Sequence, residues 1–424
     1  MISTSSHLPY GASPPAHWKV VPLKHLSKLS NGFAFKSDSW EDAGTPILRI
    51  ENLNGSNSFN YSKLALDERY KVTAGDLLYS WSGNPGTSFG PFRWARDGSY
   101  YLNQHIFKAA VHGCDTDWLY WSLRAATHWI ERELTSGMIG MVHVTKDELG
   151  RVPIPLPPPE EQRRIADFLD AETARIEKLS AHRRAQMELL TERFNTVWGE
   201  TIEADGNRAG WSPIRRFLDA ITDGPFGSAL TSSHYTDSGA RVIRLGNIGR
   251  GNFRNHDAAF ISSTYFMQLQ RHEAVGGDLV VAGLGDQNNP LGRACVVPEG
   301  LGPAIVKADC FRLRLHKARM LHEYAAWALS SPPVSEQIAV LARGSTRARI
   351  NLEIVREVAV PAPSITQQLR AMTFLAEARS VTESARTRCS RQLDLLAERR
   401  QALITAAVTG QIDVSTASGR GIEE

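Results

Sequence analysis

The chain of 424 residues is 42% hydrophobic and 22% charged, which supplies cores for two or three domains and excludes wholesale disorder. Lys and Arg number 48 against 45 for Asp and Glu, a formal charge of +3 that permits nucleic-acid binding without demanding it. Four scattered cysteines exclude a disulfide scaffold and a C-x-x-C zinc site, and no run approaches the ~18 apolar residues of a membrane span.

In chain order, Pro46-Ile-Leu-Arg-Ile50 reads as a strand, and Ser80-Trp-Ser-Gly-Asn-Pro-Gly-Thr87 is turn-dense. An amphipathic helix is expected around Trp118 to Glu133. Pro153-Ile-Pro-Leu-Pro-Pro-Pro159 is an extended stop, because proline fixes φ and cannot continue a helix. From Glu160 to Gly199 there is neither glycine nor proline, and Ile165, Leu169, Ile176, Leu179, Leu190, Phe194 and Val197 trace a coiled-coil seam. Further on, Asp278-Leu-Val-Val-Ala282 reads as a strand, Gly283 to Pro290 as a turn-rich loop, and His322 to Leu329 as a helix. A second long helix runs from about Ile365 to Val408, with Cys389, Leu393, Leu396, Leu403 and Ala407 on its stripe. Helices of some forty residues are about 60 Å long. Neither hides its stripe alone, so the two are expected to bury it against each other.

The sequence is written twice. Trp18 is matched by Trp211, 193 positions on, and Arg49 in Pro46-Ile-Leu-Arg-Ile-Glu-Asn-Leu53 by Arg244 in Arg241-Val-Ile-Arg-Leu-Gly-Asn-Ile248, 195 on. Gly75 of Gly75-Asp-Leu-Leu78 is matched by Gly277 at 202, Gly137 by Gly344 at 207, and Pro157 by Pro363 at 206. Five blocks in order, with offsets that drift as loop insertions would make them, mean two copies of a domain plus its connector. Two similar units joined by rigid helices suit a long ligand with two similar parts.

No catalytic constellation stands out. G-x-x-x-x-G-K-[ST], H-E-x-x-H and G-x-S-x-G are absent, and Gly246, Gly249 and Gly251 miss the dinucleotide spacing. His105, His143 and His234 read as surface or hydrogen-bonded core residues rather than metal ligands. Ser331-Pro-Pro-Val334 resembles the base-holding loop of adenine methyltransferases but has Val where the ring belongs, so it reads as a helix break. What remains is binding chemistry: polar and basic loops with interleaved aromatics. The candidate DNA contacts are Lys36, Ser82, Asn84, His143 and Lys146 in the first copy, and Ser228, Gln287, Asn288, Arg293, Arg343, Arg347 and Arg349 in the second. Arg and Lys suit phosphates and guanine edges, Asn and Gln adenine edges. The alternative for each arginine is an ordinary surface ion pair.

From about Trp18 to about Val414 the chain resembles the specificity subunits of type I restriction-modification systems. The resemblance rests on Ile154-Pro-Leu-Pro-Pro-Pro-Glu-Glu-Gln-Arg-Arg-Ile-Ala-Asp-Phe-Leu169 and on Leu396-Ala-Glu-Arg-Arg-Gln-Ala-Leu-Ile-Thr-Ala-Ala-Val-Thr-Gly-Gln-Ile-Asp413. Gly32-Phe-Ala-Phe-Lys-Ser37 and Gly224-Pro-Phe-Gly-Ser228 add to it. The second copy departs at Ser364-Ile-Thr-Gln-Gln368, where the first has Pro158-Pro-Glu-Glu-Gln162. The resemblance implies an α+β fold with two pseudo-repeated mixed α/β target recognition domains separated by a long antiparallel two-helix coiled coil. The expected divisions are residues 1–152, 153–200, 201–358 and 359–424. It also implies double-stranded DNA with a bipartite target as ligand, and two modification and two restriction subunits as partners. S-adenosylmethionine, ATP and magnesium would belong to those partners, with no cofactor in this non-catalytic chain. Met1 to Pro9 shows no basic and apolar leader, so a cytoplasmic, non-membrane setting is expected. A free-standing DNA methyltransferase and a two-armed protein-binding scaffold are the alternatives.

Overall fold

The computed structural model describes residues 8–36, 40–134, 142–286, 288–342 and 348–414. The chain divides into two compact units, Met1–Arg183 with Arg391–Glu424, and Arg184–Ser390. Each contains one globular region, the start or end of the central helix Pro159–Ala209, and the opposite end of the C-terminal helix Ile365–Val408. No described helix is long and apolar enough to cross a membrane.

The two units repeat one topology. In the first, a four-stranded sheet has the order Ser27–Asn31, Ile106–Val111, Leu77–Ser80, Gly90–Arg93, all antiparallel. In the second, Leu218–Asp223, Cys310–Leu315, Leu279–Ala282 and Ala294–Val296 take the same order. Beside each lies a mixed sheet whose one parallel pairing is between Thr45–Leu48 and Tyr100–Leu102, or between Ala240–Ile243 and Ala304–Val306. The proline hinges are themselves strands: Pro153–Leu156 pairs with Lys19–Pro22, and Ala359–Pro361 with Trp211–Pro213.

Buried polar residues repeat with the strands. Asn52 Oδ1 accepts the Arg49 N–H at 2.9 Å, and Asn247 Oδ1 accepts the Arg244 N–H at 2.9 Å. Each amide then donates to two carbonyls of the following loop, Ser56 and Ser58 or Arg254 and His256. Asp76 accepts from the Thr73 N–H and from Lys108 Nζ; Asp278 accepts from the Val275 N–H and from Arg314. The internal repeat therefore extends to individual hydrogen bonds.

The long helices pack antiparallel within each unit. In the first, Ile165, Ala166 and Leu169 join Ile404, Ala407 and Val408 in one core with Trp18, Trp118 and Trp121. In the second, Trp198 and Ile202 share a core with Ala371, Leu375 and Trp327. The expected seam is corrected in one place. Leu179 is 43% exposed, whereas Leu169, Thr173, Ile176 and Ser180 are buried in a 4-3-4 spacing. Two small polar residues occupy seam positions because a helix back-bond serves the first of them: Thr173 Oγ1 donates to the Leu169 carbonyl at 2.6 Å.

The central helix also runs past its expected end at Gly199, to Ala209. Gly206 is required there by packing, since a Cβ would lie 2.3 Å from the Trp211 ring. The first-unit helix spans Thr116–Trp129 and closes in a π turn, Ile130–Leu134. At Ser331 the chain does break: one helix ends at Leu329 and the next starts at Pro332, the position that tolerates a missing N–H.

Candidate nucleic-acid interface

Matching backbone hydrogen bonds define one loop edge in each unit. In the first, the Trp81 N–H donates to the His105 carbonyl, the Val144 N–H to the Trp81 carbonyl at 3.0 Å, and the Ile106 N–H to the Asn103 carbonyl. In the second, the Gly283 N–H donates to the Asp309 carbonyl at 2.7 Å, the Ile350 N–H to the Gly283 carbonyl at 3.0 Å, and the Cys310 N–H to the Lys307 carbonyl. Trp81 thus corresponds to Gly283, His105 to Asp309, and His143 to Arg349. A glycine closes both edges. A Cβ on Gly32 would lie 2.2 Å from the Asn103 carbonyl oxygen, and one on Gly224 would lie 2.0 Å from the Lys307 carbonyl carbon. Only a residue without a side chain lets those loops cross so closely.

The same frame presents different chemistry. In the first unit the Trp81 ring sits among His105, Phe107 and His143, with centroids 5.4, 5.8 and 6.1 Å away, and its Nε1 donates to the Gln104 carbonyl. Burial lowers the His105 pKa and the neighbouring His143 lowers it further, so a neutral ring with one donor and one acceptor is favoured. In the second unit Arg349 and Asp309 form an ion pair at 2.5 Å, and the guanidinium lies 5.6 Å from the centre of the Phe226 ring. Phe226 is 47% exposed. Asp309 has φ +64°, in the left-handed region that aspartate and asparagine enter more readily than other non-glycine residues.

The sequence candidates fall in different places. Ser82 and His143 pair directly across two short strands, and Asn84 opens the adjoining turn, where its N–H donates to Ser88 Oγ at 2.7 Å. Lys36 is exposed on the loop that follows Gly32. Lys146 lines a groove of about 510 Å³ with Lys28, Arg69 and Lys108; Lys108 is already spent on Asp76 at 2.7 Å. In the second unit Ser228 and Asn288 are exposed, and the Asn288 N–H donates to Asp286. Gln287, Arg343 and Arg347 lie outside the described residues.

Arg293 is a correction. It is 3% exposed, and its guanidinium donates to the carbonyls of Leu245, Ile248, Leu284 and Pro290 at 2.8 to 3.1 Å. It ties two loops together from inside and presents nothing to a ligand. His105 and Asp309 were not singled out as contacts from sequence. The signal that finds them is the repeat itself: they stand 204 positions apart, between blocks offset by 202 and 207.

Residues 15–189 match the model of the type I restriction modification DNA specificity domain. The type I restriction enzyme EcoBI specificity subunit of Escherichia coli is 23% identical over 93% of this chain and 86% of its own length. The MjaVIII specificity subunit of Methanocaldococcus jannaschii is 20% identical over 96% of this chain and 95% of its own. Among solved structures, a chain from a type I R-M system studied for complex assembly and conformational transition superposes with a TM-score of 0.72. It is 16% identical and covers 94% of this chain and 99% of that one. The HsdS subunit from Thermoanaerobacter tengcongensis gives 0.52 at 15% identity, over 94% and 98%. Those two likenesses show the fold. Residues 15–189 thus match a type I restriction modification DNA specificity domain, and along nearly its whole length the chain is similar to type I specificity subunits, in agreement with the duplicated architecture.

Proposed function

We propose that this chain is the sequence-reading subunit of a type I restriction-modification complex. Each unit reads one part of a split DNA target, and the paired helices set the distance between the parts. The observation that carries this reading is the pair of loop edges: one backbone frame, used twice, with unlike side chains on it. A repeated frame suits a repeated ligand such as duplex DNA, and the unlike side chains suit two different base sequences. Two modification subunits would dock on this chain and bring S-adenosylmethionine and methyl transfer. Two restriction subunits would bring ATP- and magnesium-dependent translocation and cleavage. Reading and docking are the tasks left to this chain, in a cytoplasmic setting where chromosomal DNA is accessible.

Co-expression with the modification subunit tests the proposal. A stable complex that methylates a two-part site, with DNA affinity falling steeply as salt rises, is the expected result. Methyl transfer by the isolated chain would instead favour the free-standing methyltransferase. Failure to bind any duplex would favour the protein scaffold.

A further inference from the structure

The Asp309–Arg349 pair of the second unit carries a more specific reading, which rests on the proposed function. Both residues lie on the loop edge, one on each of two adjoining segments that meet at Gly283. The Arg349 side chain is 52% exposed, so its donors are reachable, and the Asp309 side chain is 20% exposed, so an acceptor lies just behind them. The Phe226 ring flanks the guanidinium. In the major groove, guanine offers O6 and N7 as acceptors and its partner cytosine offers the N4 amine as donor. With the guanidinium spanning O6 and N7 and the carboxylate meeting N4, the pair matches G·C; an A·T pair in the same orientation would set its N6 donor against the guanidinium and its O4 acceptor against the carboxylate. The first unit places His105 and His143 at the equivalent positions, without a formal charge pair.

We propose that Asp309 and Arg349 together form a specificity determinant for one G·C base pair in the half-site read by the second unit. Asp309 has two roles. Its carboxylate orients the guanidinium, and it rejects bases that present an acceptor where cytosine presents N4. Isolated arginine contacts to phosphate would strengthen binding to every sequence alike. A fixed acid–base pair discriminates instead.

The test uses the assembled complex of this chain with its modification subunits, acting on a duplex library randomised at every position. The wild-type complex must yield a two-part methylated site; failure at that step sinks the proposed function itself. Given such a site, Asp309→Asn and Arg349→Lys are each expected to lower discrimination at one G·C position of one half-site by about 5- to 150-fold. The other positions and the other half-site stay as in the wild type, and the unaffected half-site shows that the variant chain is folded. A second arm imports the pair: His105→Asp with His143→Arg is expected to give the first unit's half-site a new preference for G·C at one position. The inference is overturned if the two second-unit variants keep wild-type discrimination. It is equally overturned if they weaken all positions of that half-site in parallel while the imported pair confers no preference.

Discussion

Gln162 and Gln368 stand 206 positions apart and make the same two hydrogen bonds. Gln162 Nε2 donates to the Pro157 carbonyl at 2.8 Å, and its Oε1 accepts the Asp115 N–H at 2.8 Å. Gln368 donates to the Pro363 carbonyl at 2.8 Å and accepts the Leu321 N–H at 2.9 Å. Asp115 and Leu321 are the N-caps of the helices Thr116–Trp129 and His322–Leu329. One buried amide therefore ties the first turn of a long helix both to the proline strand behind it and to the start of its unit's own helix. The second copy's loss of Glu160 and Glu161 leaves this joint intact, because the glutamine carries it.

Replacing either glutamine with alanine should therefore cost its unit about 1–3 kcal/mol, since a buried N–H and a buried carbonyl lose their partners. Urea unfolding followed by tryptophan fluorescence reads the cost. The two substitutions share no partners, so the double variant should show their sum within about 0.5 kcal/mol. Near-zero costs for both would show that water replaces the amide and that the joint is not structural.

Arg293→Ala should behave as a stability variant, not a recognition variant. Four carbonyls lose a charged donor, and the cost should be on the order of 3 kcal/mol. DNA discrimination measured on the fraction that remains folded should match the wild type. A stable Arg293→Ala protein with altered base preference would return this arginine to the contact surface.

The contrast between Arg293 and Arg349 shows what sequence reveals and what it hides. Both arginines stand in polar, glycine-flanked loops, and both read as surface cations. Burial depends on where Leu245, Ile248, Leu284 and Pro290 converge in space, and no local pattern in the chain records that. The duplication was legible because it rests on residue identity at fixed offsets, and the long helices because proline and glycine punctuate them. The seam was legible only in part. Apolar spacing singled out Leu179, but Thr173 and Ser180 fill seam positions, and the Thr173 hydroxyl bonds back to the helix. The continuation past Gly199 was illegible because glycine's low helix propensity masks it; at Gly206 the Trp211 ring packs where a side chain would lie.

His322 should make the second unit sensitive to acid. Its Nε2 accepts the Leu315 N–H at 2.7 Å, and burial, the largest cause, lowers its pKa below the ordinary 6.5, with Lys317 lowering it further. The unfolded chain then binds the proton more readily than the folded one. The contribution is fully present above about pH 6.5 and is lost as pH falls through the lower folded value. Urea midpoints at pH 7.5 and 5.5 should differ more for the wild type than for His322→Gln, which keeps an acceptor but cannot titrate. Equal differences would assign the acid sensitivity to other groups.

The helix pair should act as the measure of the DNA spacer. Within each unit a long helix is fastened to the domain by aromatic or charged contacts. In the first, Arg93 is held by Asp170 and Asp117 and lies 4.3 Å from the Tyr120 ring centre; in the second, Arg379 lies 3.8 Å from that of Trp327. The helices Pro159–Ala209 and Ile365–Val408 are each continuous, so residues added within them lengthen a helix instead of being absorbed in a loop. Four residues inserted into both helices, one near Met187 and one near Val381, add roughly 6 Å of rise and a rotation of about 40°. On duplex DNA of about 3.4 Å per base pair, the tolerated spacer should lengthen by about two base pairs, with both half-sites unchanged in sequence. Methylation of a series of sites that differ only in spacer length reads this directly. An unchanged optimum in a folded insertion variant would show that something other than the helices spaces the two readers.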